Sequence, residues 1–442
     1  MAQPASLRPA PVRRPWRSYK ERLSLLARQV VDAQRPIRVL NAIRWPPEIF
    51  EQFKASGFRE PPRLGAAEYA QIALGFDPKA KRAEFRELEA AIDRELGEKD
   101  AIGSILSATA REYRLVVEML EARGTPGFYA LSRDLYGSAR DCFADGVTQV
   151  RDIALDMYDI LTQLDDSLLG PMPVRNIPAE RVVELLNQRL ERVFGGGTVS
   201  VVIDDGILAD AAAGSDYVKV RQAALFSERD IRVLEVHEGW AHVATSLNGQ
   251  LQPVAHWLAK GPPRTAAAQE GLAALLEVLT LASYPHRARR LNDRVLATDK
   301  AEDGASFLEV FDWFRTEGYD EEICFWNTQR VFRGGVLDGG APFTKDIVYT
   351  KGIVQNYNFM QSAIAAGRPE LIRWMFVGKV ALDDIPVLAQ RAHEGVVHPP
   401  RYLPEIFSDL NGLAIWLGVS TFWGRLNNRA VLRHYERLFE GR

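Results

Sequence analysis

Cysteine, long apolar runs and charge imbalance are all scarce in this chain, and each scarcity removes a class of protein. Only two cysteines, Cys142 and Cys324, occur among 442 residues. That is too few for a disulfide framework and fits a reducing compartment. Neither stands in a C-x-x-C or similar ligand spacing, so both are expected to be buried small hydrophobes. No stretch reaches the roughly 18 consecutive apolar residues that a membrane span requires. The nearest, residues 412–424, contains Gly418, Ser420 and Thr421 and reads as a buried helix. The N-terminal stretch lacks an apolar core with a small-residue cleavage site, so a secretory signal is not expected. Lys plus Arg number 55 against 58 Asp plus Glu, a formal net charge of −3. That balance gives neither nucleic acid nor an anionic membrane a reason to bind. The expectation is a cytoplasmic globular protein with no nucleic-acid or membrane partner.

Residues 1–17 are rich in Pro, Arg and Ala, including Arg8, Pro9, Pro11, Arg13, Arg14 and Pro15. Such a segment buries little apolar surface and is expected to be a disordered basic tail. Residues 18–195 read as a helical N-terminal region, with helical periodicity over 19–33, 85–96, 102–123, 129–144, 147–164 and 179–194. Asp165 and Asp166 fall at a helix end before Gly170-Pro171 and read as turn or cap carboxylates. After Gly195-Gly196-Gly197 the period changes. Residues 198–203 form a β-branched run with the look of a buried strand, and 217–221 alternate as a half-exposed strand does. Ser227 is placed as an N-cap before Glu228 and Asp230, opening a helix to about 247. Helices are further expected over 265–282, 288–296, 307–316, 321–332 and 343–366, with a Gly-rich loop at 333–342. The fold class is therefore mostly α with a small β-sheet (α+β), residues 196–442 forming the catalytic region in one compact unit with the first. Two strands followed by a helix bearing histidines is the order in which many zinc peptidases set an edge strand over a metal cleft, a zincin-like arrangement.

The chemistry concentrates in His237-Glu238-Gly239-Trp240-Ala241-His242. Two imidazoles and a carboxylate suit a borderline-soft divalent ion, zinc by default. In H-E-x-x-H the i,i+4 spacing turns through about 40° and leaves both imidazoles on one face. Here the spacing is i,i+5, about 140°, which would point them apart on a regular helix. The sequence thus demands a π-bulge near Gly239 to bring His242 back toward His237. Glu270, on a later helix, can supply a third ligand beside His237 and His242, with one Zn²⁺ per chain. Two His, one Glu and an open fourth position describe a catalytic zinc, with Glu238 as the general base. Glu277, two turns along the same face, competes with Glu270; His256 and His286 are alternative ligands, and core histidines remain the plain alternative. A second copy of the pattern, His393-Glu394-Gly395-Val396-Val397-His398, is followed by Pro399-Pro400. It reads as a helix end with a solvated histidine, because the residue before proline avoids helical geometry.

With Gln269-Glu270-Gly271-Leu272-Ala273, Arg330-Val331-Phe332-Arg333-Gly334 and Phe343-Thr344-Lys345-Asp346-Ile347-Val348-Tyr349, the histidine motif completes an ordered set. Over roughly residues 20–430 the chain resembles the QEGLA-motif proteins, whose bacterial members carry the label flavohaemoglobin expression-modulating. Their relatives include the microtubule-associated tyrosine carboxypeptidases. The resemblance implies His237, His242 and Glu270 as zinc ligands, Glu238 as the catalytic glutamate, and release of a C-terminal, tyrosine-like residue from a peptide or protein. Such an enzyme also needs a cation for the substrate's carboxylate and a donor for the oxyanion. Arg333 is the expected carboxylate partner and Tyr349 the expected oxyanion donor, with Lys345, Lys351, Lys219 and Arg221 as further candidates. A non-catalytic metal-binding protein that modulates expression is the second reading, and a cysteine peptidase using Cys142 or Cys324 a distant third.

Overall fold

The computed structural model describes residues 13–164, 168–169, 173–207, 209–423 and 435. Residues 1–12 of the expected tail, and the Asp165–Asp166 pair, lie outside them. From Arg13 onward the chain is already helical, so helix α1 (Arg13–Gln34) begins inside the stretch expected to be disordered. The long helices α2 (Pro78–Leu96) and α3 (Ala101–Glu121) follow, each opened by an aspartate side chain. Asp77 accepts from Ala80 N at 2.6 Å and Asp100 from Gly103 N at 2.7 Å. These caps satisfy amide donors that a helix start leaves without partners. Helix α4 (Pro126–Tyr136) stops at Gly137, whose φ of 93° ends the helix well before residue 144. Cys142 sits in the following turn and is exposed, correcting the expectation of burial; Cys324 is buried as expected.

Helices α5 (Val150–Thr162) and α6 (Ala179–Phe194) lead to the sheets. Strand β1 (Ile177–Pro178) pairs antiparallel with β5 (Leu225–Phe226). A second sheet has the order β2 (Ser200–Ile203), β4 (Tyr217–Val220), β3 (Ala211–Ala213), with β2 parallel and β3 antiparallel to β4. Of β2 only Val201 is buried, and Val202 is 41% exposed, so this strand is an edge and not the buried strand expected. Its outer backbone is covered by one side chain: Asn187 of α6 accepts from Val201 N at 2.9 Å and donates to Val201 O at 3.2 Å. Capping an edge in this way blocks further strand pairing.

Strand β3 was not foreseen, since alanine has little β-propensity. Its orientation follows from its bonds to β4. Arg221 N donates to Asp210 O at 2.9 Å and Gly214 N to Tyr217 O at 2.7 Å. Even-numbered residues therefore face β4, and the backbone groups of Ala211 and Ala213 point to the other edge.

Helix α7 is one rod in three pieces: an α-helical start (Glu228–Leu234), a π-helical middle (Glu235–Val243) and an α-helical end (Ala244–Gln250). Its start carries the expected capping box, with Asp230 N donating to Ser227 Oγ at 3.1 Å and Ser227 N to Asp230 Oδ2 at 2.8 Å. Helices α8 (Ala266–Leu279), α9 (Pro285–Glu302), α10 (Phe307–Thr316), α11 (Glu321–Phe332) and α12 (Val348–Ala365) complete the region. The main core takes buried residues from both ends of the chain, from Leu23 to Leu417, while α6, the sheets and α7 share a second core around Val182, Leu186, Val218 and Phe226. Helix α13 (Leu410–Trp423) buries Leu413 and Leu417, yet Ile415 is 72% exposed. The stretch read as a buried helix is thus buried on one face only. Among the described residues no helix is long and apolar enough to cross a membrane.

Helices α8 and α12 cross in backbone contact at two glycines. A Cβ on Gly271 would lie 2.0 Å from Gly352 C, and one on Gly352 would lie 1.9 Å from Ala267 O. Asn356 Nδ2 locks the crossing by donating to Ala268 O at 2.9 Å. Because the obstacle is backbone, relief requires the helices to separate. Gly271→Ala and Gly352→Ala should each cost about 1–3 kcal/mol or more in denaturant unfolding; unchanged stability would contradict this packing.

A second prediction concerns pH. Glu112 of α3 accepts from Arg264 N at 2.7 Å, and burial pushes its carboxyl up to about 7 although the nearby Arg264 charge opposes this. A raised folded-state pKa gives stability that is complete below the ordinary value of 4.5 and lost as pH climbs through about 7. Thermal unfolding should therefore show wild type losing more stability than Glu112→Gln over that window. Parallel pH profiles would count against it.

Candidate functional site

The widened middle of α7 sets the geometry. In a π-helix the backbone bonds run i→i+5, so residue i+5 comes to lie over residue i, as i+4 does in an α-helix. His237 and His242 consequently share a face, their ring centroids 4.9 Å apart and steeply tilted. Gly239 has no positive φ; it makes room instead, because a Cβ there would come 2.5 Å from Leu190 Cδ2 of α6. Past the wide turn, side chains take the backbone carbonyls. Thr245 Oγ1 donates to Ala241 O at 2.7 Å, while Ser246 Oγ and Lys379 Nζ donate to His242 O at 2.7 and 3.1 Å.

Helix α8 brings Glu270 opposite the two rings. Its Oε2 lies 3.7 Å from His237 Nε2 and 3.7 Å from His242 Nε2. One donor atom from each of His237, His242 and Glu270 falls within 4.8 Å of the others. A contact of 3.7 Å is too long for a good hydrogen bond. Two donors each about 2.0–2.1 Å from a tetrahedral ion would stand roughly 3.3 Å apart, so the spacing suits three ligands around one cation. The charge state agrees: burial pushes the Glu270 carboxyl up, but Lys345 and the two imidazoles hold it well below the ordinary range. Lys345 Nζ stands 3.4 Å from Glu270 Oε1.

Behind the histidines Glu277, expected as a rival ligand to Glu270, serves instead as a support. Glu277 Oε1 lies 2.7 Å from His237 Nδ1, and Arg287 grips the same carboxylate at 2.9 and 3.2 Å. With Nδ1 turned to Glu277, the ring directs Nε2 toward Glu270. Glu277 therefore orients His237 from the side away from Glu270 and is no rival ligand. Its place two turns beyond Glu270 was visible in the sequence, but its partner was not. His256 instead lies 3.4 Å from Ser24 Oγ and His286 beside Tyr319. The second H-E-x-x-x-H ends at Gly395 in the left-handed region (φ 67°) with the His393 side chain 73% exposed.

Glu238 is buried under the sheet edge, its Oε2 accepting from Ala213 N of β3 at 2.8 Å. A cavity of about 370 Å³ opens from His242, Glu270 and Ala213 toward Lys345, Lys379, Lys260, Tyr113 and Tyr136. A larger one, about 540 Å³, lies on another face of α7 by Trp240, Leu413 and Trp416 and includes none of the three donor residues.

The remaining expected residues separate. Tyr349 is nearly buried close to Glu270 and Arg330, its hydroxyl without a hydrogen-bond partner among the described residues. Arg333 ends α11, only 4% exposed, with its guanidinium over the Phe343 ring. Arg221 is held by Asp210 at 2.7 Å, Lys351 by Asp141 at 3.0 Å and Lys219 by Asp204 at 2.5 Å. Of the expected cations, Lys345 alone stands within ion-pair distance of the cluster.

Fold and site together define a mostly helical protein with a small sheet whose edge overlies a two-histidine, one-carboxylate cluster able to hold a metal ion. Residues 51–425 match the microtubule-associated tyrosine carboxypeptidase family, and the chain belongs to that family. No curated protein matches the chain.

The Glu277 support leads to a direct expectation. Glu277→Gln removes the charge that orients His237 while keeping the side chain's shape. Affinity for added Zn²⁺, read by chelator competition, should fall roughly 10- to 100-fold. Unchanged affinity would mean that His237 needs no such support.

Proposed function

We propose that this chain is a zinc-dependent carboxypeptidase that removes a C-terminal, tyrosine-like residue from a peptide or protein, on a zincin-like active-site layout. The observation that carries the reading is the convergence of His237, His242 and Glu270 across a widened helical turn with Glu238 beside them. Family membership supports the type of activity and the C-terminal substrate.

His237 Nε2, His242 Nε2 and a Glu270 carboxylate oxygen would hold the ion. Zinc, when bound, supplies Lewis acidity toward the scissile carbonyl and toward water. The chain's own groups do the rest. Glu238 takes the proton from the attacking water and passes it to the departing amine, as a positioned general base and then acid does. The Ala213 N–H fixes Oε2 of Glu238, and the outward backbone of β3 offers an extended substrate a strand to pair with. Tyr349 carries a free hydroxyl beside the cluster, placed to donate to the developing oxyanion. Lys345 keeps Glu270 ionised.

The test uses Glu238→Gln, which keeps the size of the side chain and the ligands but removes the base. It should bind one zinc per chain as wild type does and trim C-terminal tyrosine from peptides about 100- to 10,000-fold more slowly. Zinc-loaded wild type that trims no peptide would defeat the reading and favour a regulatory metal-binding role.

A further inference from the structure

Helix α9 presents three arginines, Arg287, Arg290 and Arg294, at i, i+3 and i+7. That spacing keeps them within an arc of about 60° on one face. All three are partly buried. Their partners differ. Arg287 is neutralised by Glu277, and nearby Arg330 by Asp346 in a two-pronged pair at 2.7 and 2.8 Å. Arg290 and Arg294 have no ion-pair partner among the described residues. Arg294 reaches only the neutral Asn327 Oδ1, at 3.3 Å, and Arg290 Nε is buried without a hydrogen bond. Two like charges one helical turn apart repel, and a half-buried cation without an anion is costly. Burial first, and then Arg330, press the Arg294 guanidinium down to about 9, so its charge is under-compensated where it stands.

Arg290 and Arg294 both lie on the face of α9 that carries Arg287, whose carboxylate partner Glu277 also holds His237. Arg294 lies within electrostatic reach of Tyr349, and Arg287 of both Tyr349 and Glu238. Arg290 is near Asp210, the residue immediately before β3. Thus β3 runs from Asp210, near Arg290, to Ala213, whose N–H holds Glu238. A substrate strand lying antiparallel to β3 would put its C-terminus at the Asp210 end, near Arg290 and with Arg294 one helical turn further along α9, and its scissile bond near Glu238. The chain ahead of that bond would leave through the 370 Å³ cavity lined by Lys260 and Tyr136.

We infer that Arg290 and Arg294 form the site for the substrate's terminal carboxylate and so make the enzyme an exopeptidase. This rests on the carboxypeptidase reading above and replaces Arg333, which is packed on Phe343, as the carboxylate partner. Guanidinium groups suit the task because their planar forks bind carboxylate at two points.

The test reads binding, not turnover. A fluorescein-labelled peptide ending in Ala-Ala-Tyr is titrated into zinc-loaded Glu238→Gln as the free acid and as the C-terminal amide. The acid should bind roughly 10- to 100-fold more tightly, the range of a charge-assisted pair. Adding Arg290→Gln or Arg294→Gln should bring the acid down to the level of the amide and leave the amide unchanged. Arg294→Lys should restore part of the difference, and matched thermal unfolding midpoints would exclude misfolding. Equal or absent binding of acid and amide overturns the inference, as does discrimination that survives both variants or disappears with Lys260→Gln instead. Wild type that discriminates acid from amide but trims neither would sink the enzymatic reading alone. Wild type that trims both equally would sink the carboxylate site alone.

Discussion

One extra residue in a helical turn governs this molecule. An α-helical His237–His242 pair would diverge by about 140°, and no third ligand could serve both rings. The i→i+5 bonding of Glu235–Val243 closes that angle and brings Glu270 Oε2 to the same distance from each imidazole. Much of the neighbouring structure maintains the wide turn. Thr245, Ser246 and Lys379 take its backbone carbonyls, Leu190 fills the space over Gly239, and Glu277 with Arg287 fixes the His237 ring. A widened helix is less stable than a regular one. Its presence in a buried element argues that the donor geometry is what the surrounding packing serves.

The carboxylate side of the cluster depends on a different constraint, the closeness of α8 and α12. Gly271 adjoins Glu270 in sequence, and its missing side chain lets the two backbones touch at Gly352. That crossing sets how far Glu270 stands from the histidines, and it brings Tyr349, near the start of α12, close to the same carboxylate. The glycine of the Gln269–Ala273 motif is thus a packing residue, next to a glutamate that faces both imidazoles. The two sit side by side in one short stretch, and a change to either would move the other.

How much was legible in the sequence follows from the range of the interactions involved. Local signals read well. The Ser227 cap, the helix stop at Gly395 and the need for a bulge between His237 and His242 are each settled within a few residues. The convergence of Glu270 with the histidines was legible because helical periodicity and the motif's company both pointed to it. Long-range facts were not. Nothing in Ala211-Ala212-Ala213 announces a strand, because its pairing comes from β4 and its use from Glu238. The arginines of α9 looked like an ordinary charged helix, since only packing shows which of them find carboxylates. Arg333 looked available by its place in a motif, yet folding buries it against Phe343. Cys142 looked apolar by habit and lies instead in an exposed turn.

X-ray absorption at the zinc edge, on protein loaded with one equivalent of the metal, tests the central claim most directly. The account predicts two imidazole nitrogens and carboxylate oxygen at about 2.0–2.2 Å, with the imidazole signal diminished by His242→Ala. A sulfur shell at about 2.3 Å, or a spectrum indifferent to loss of His242, would place the metal elsewhere and contradict it.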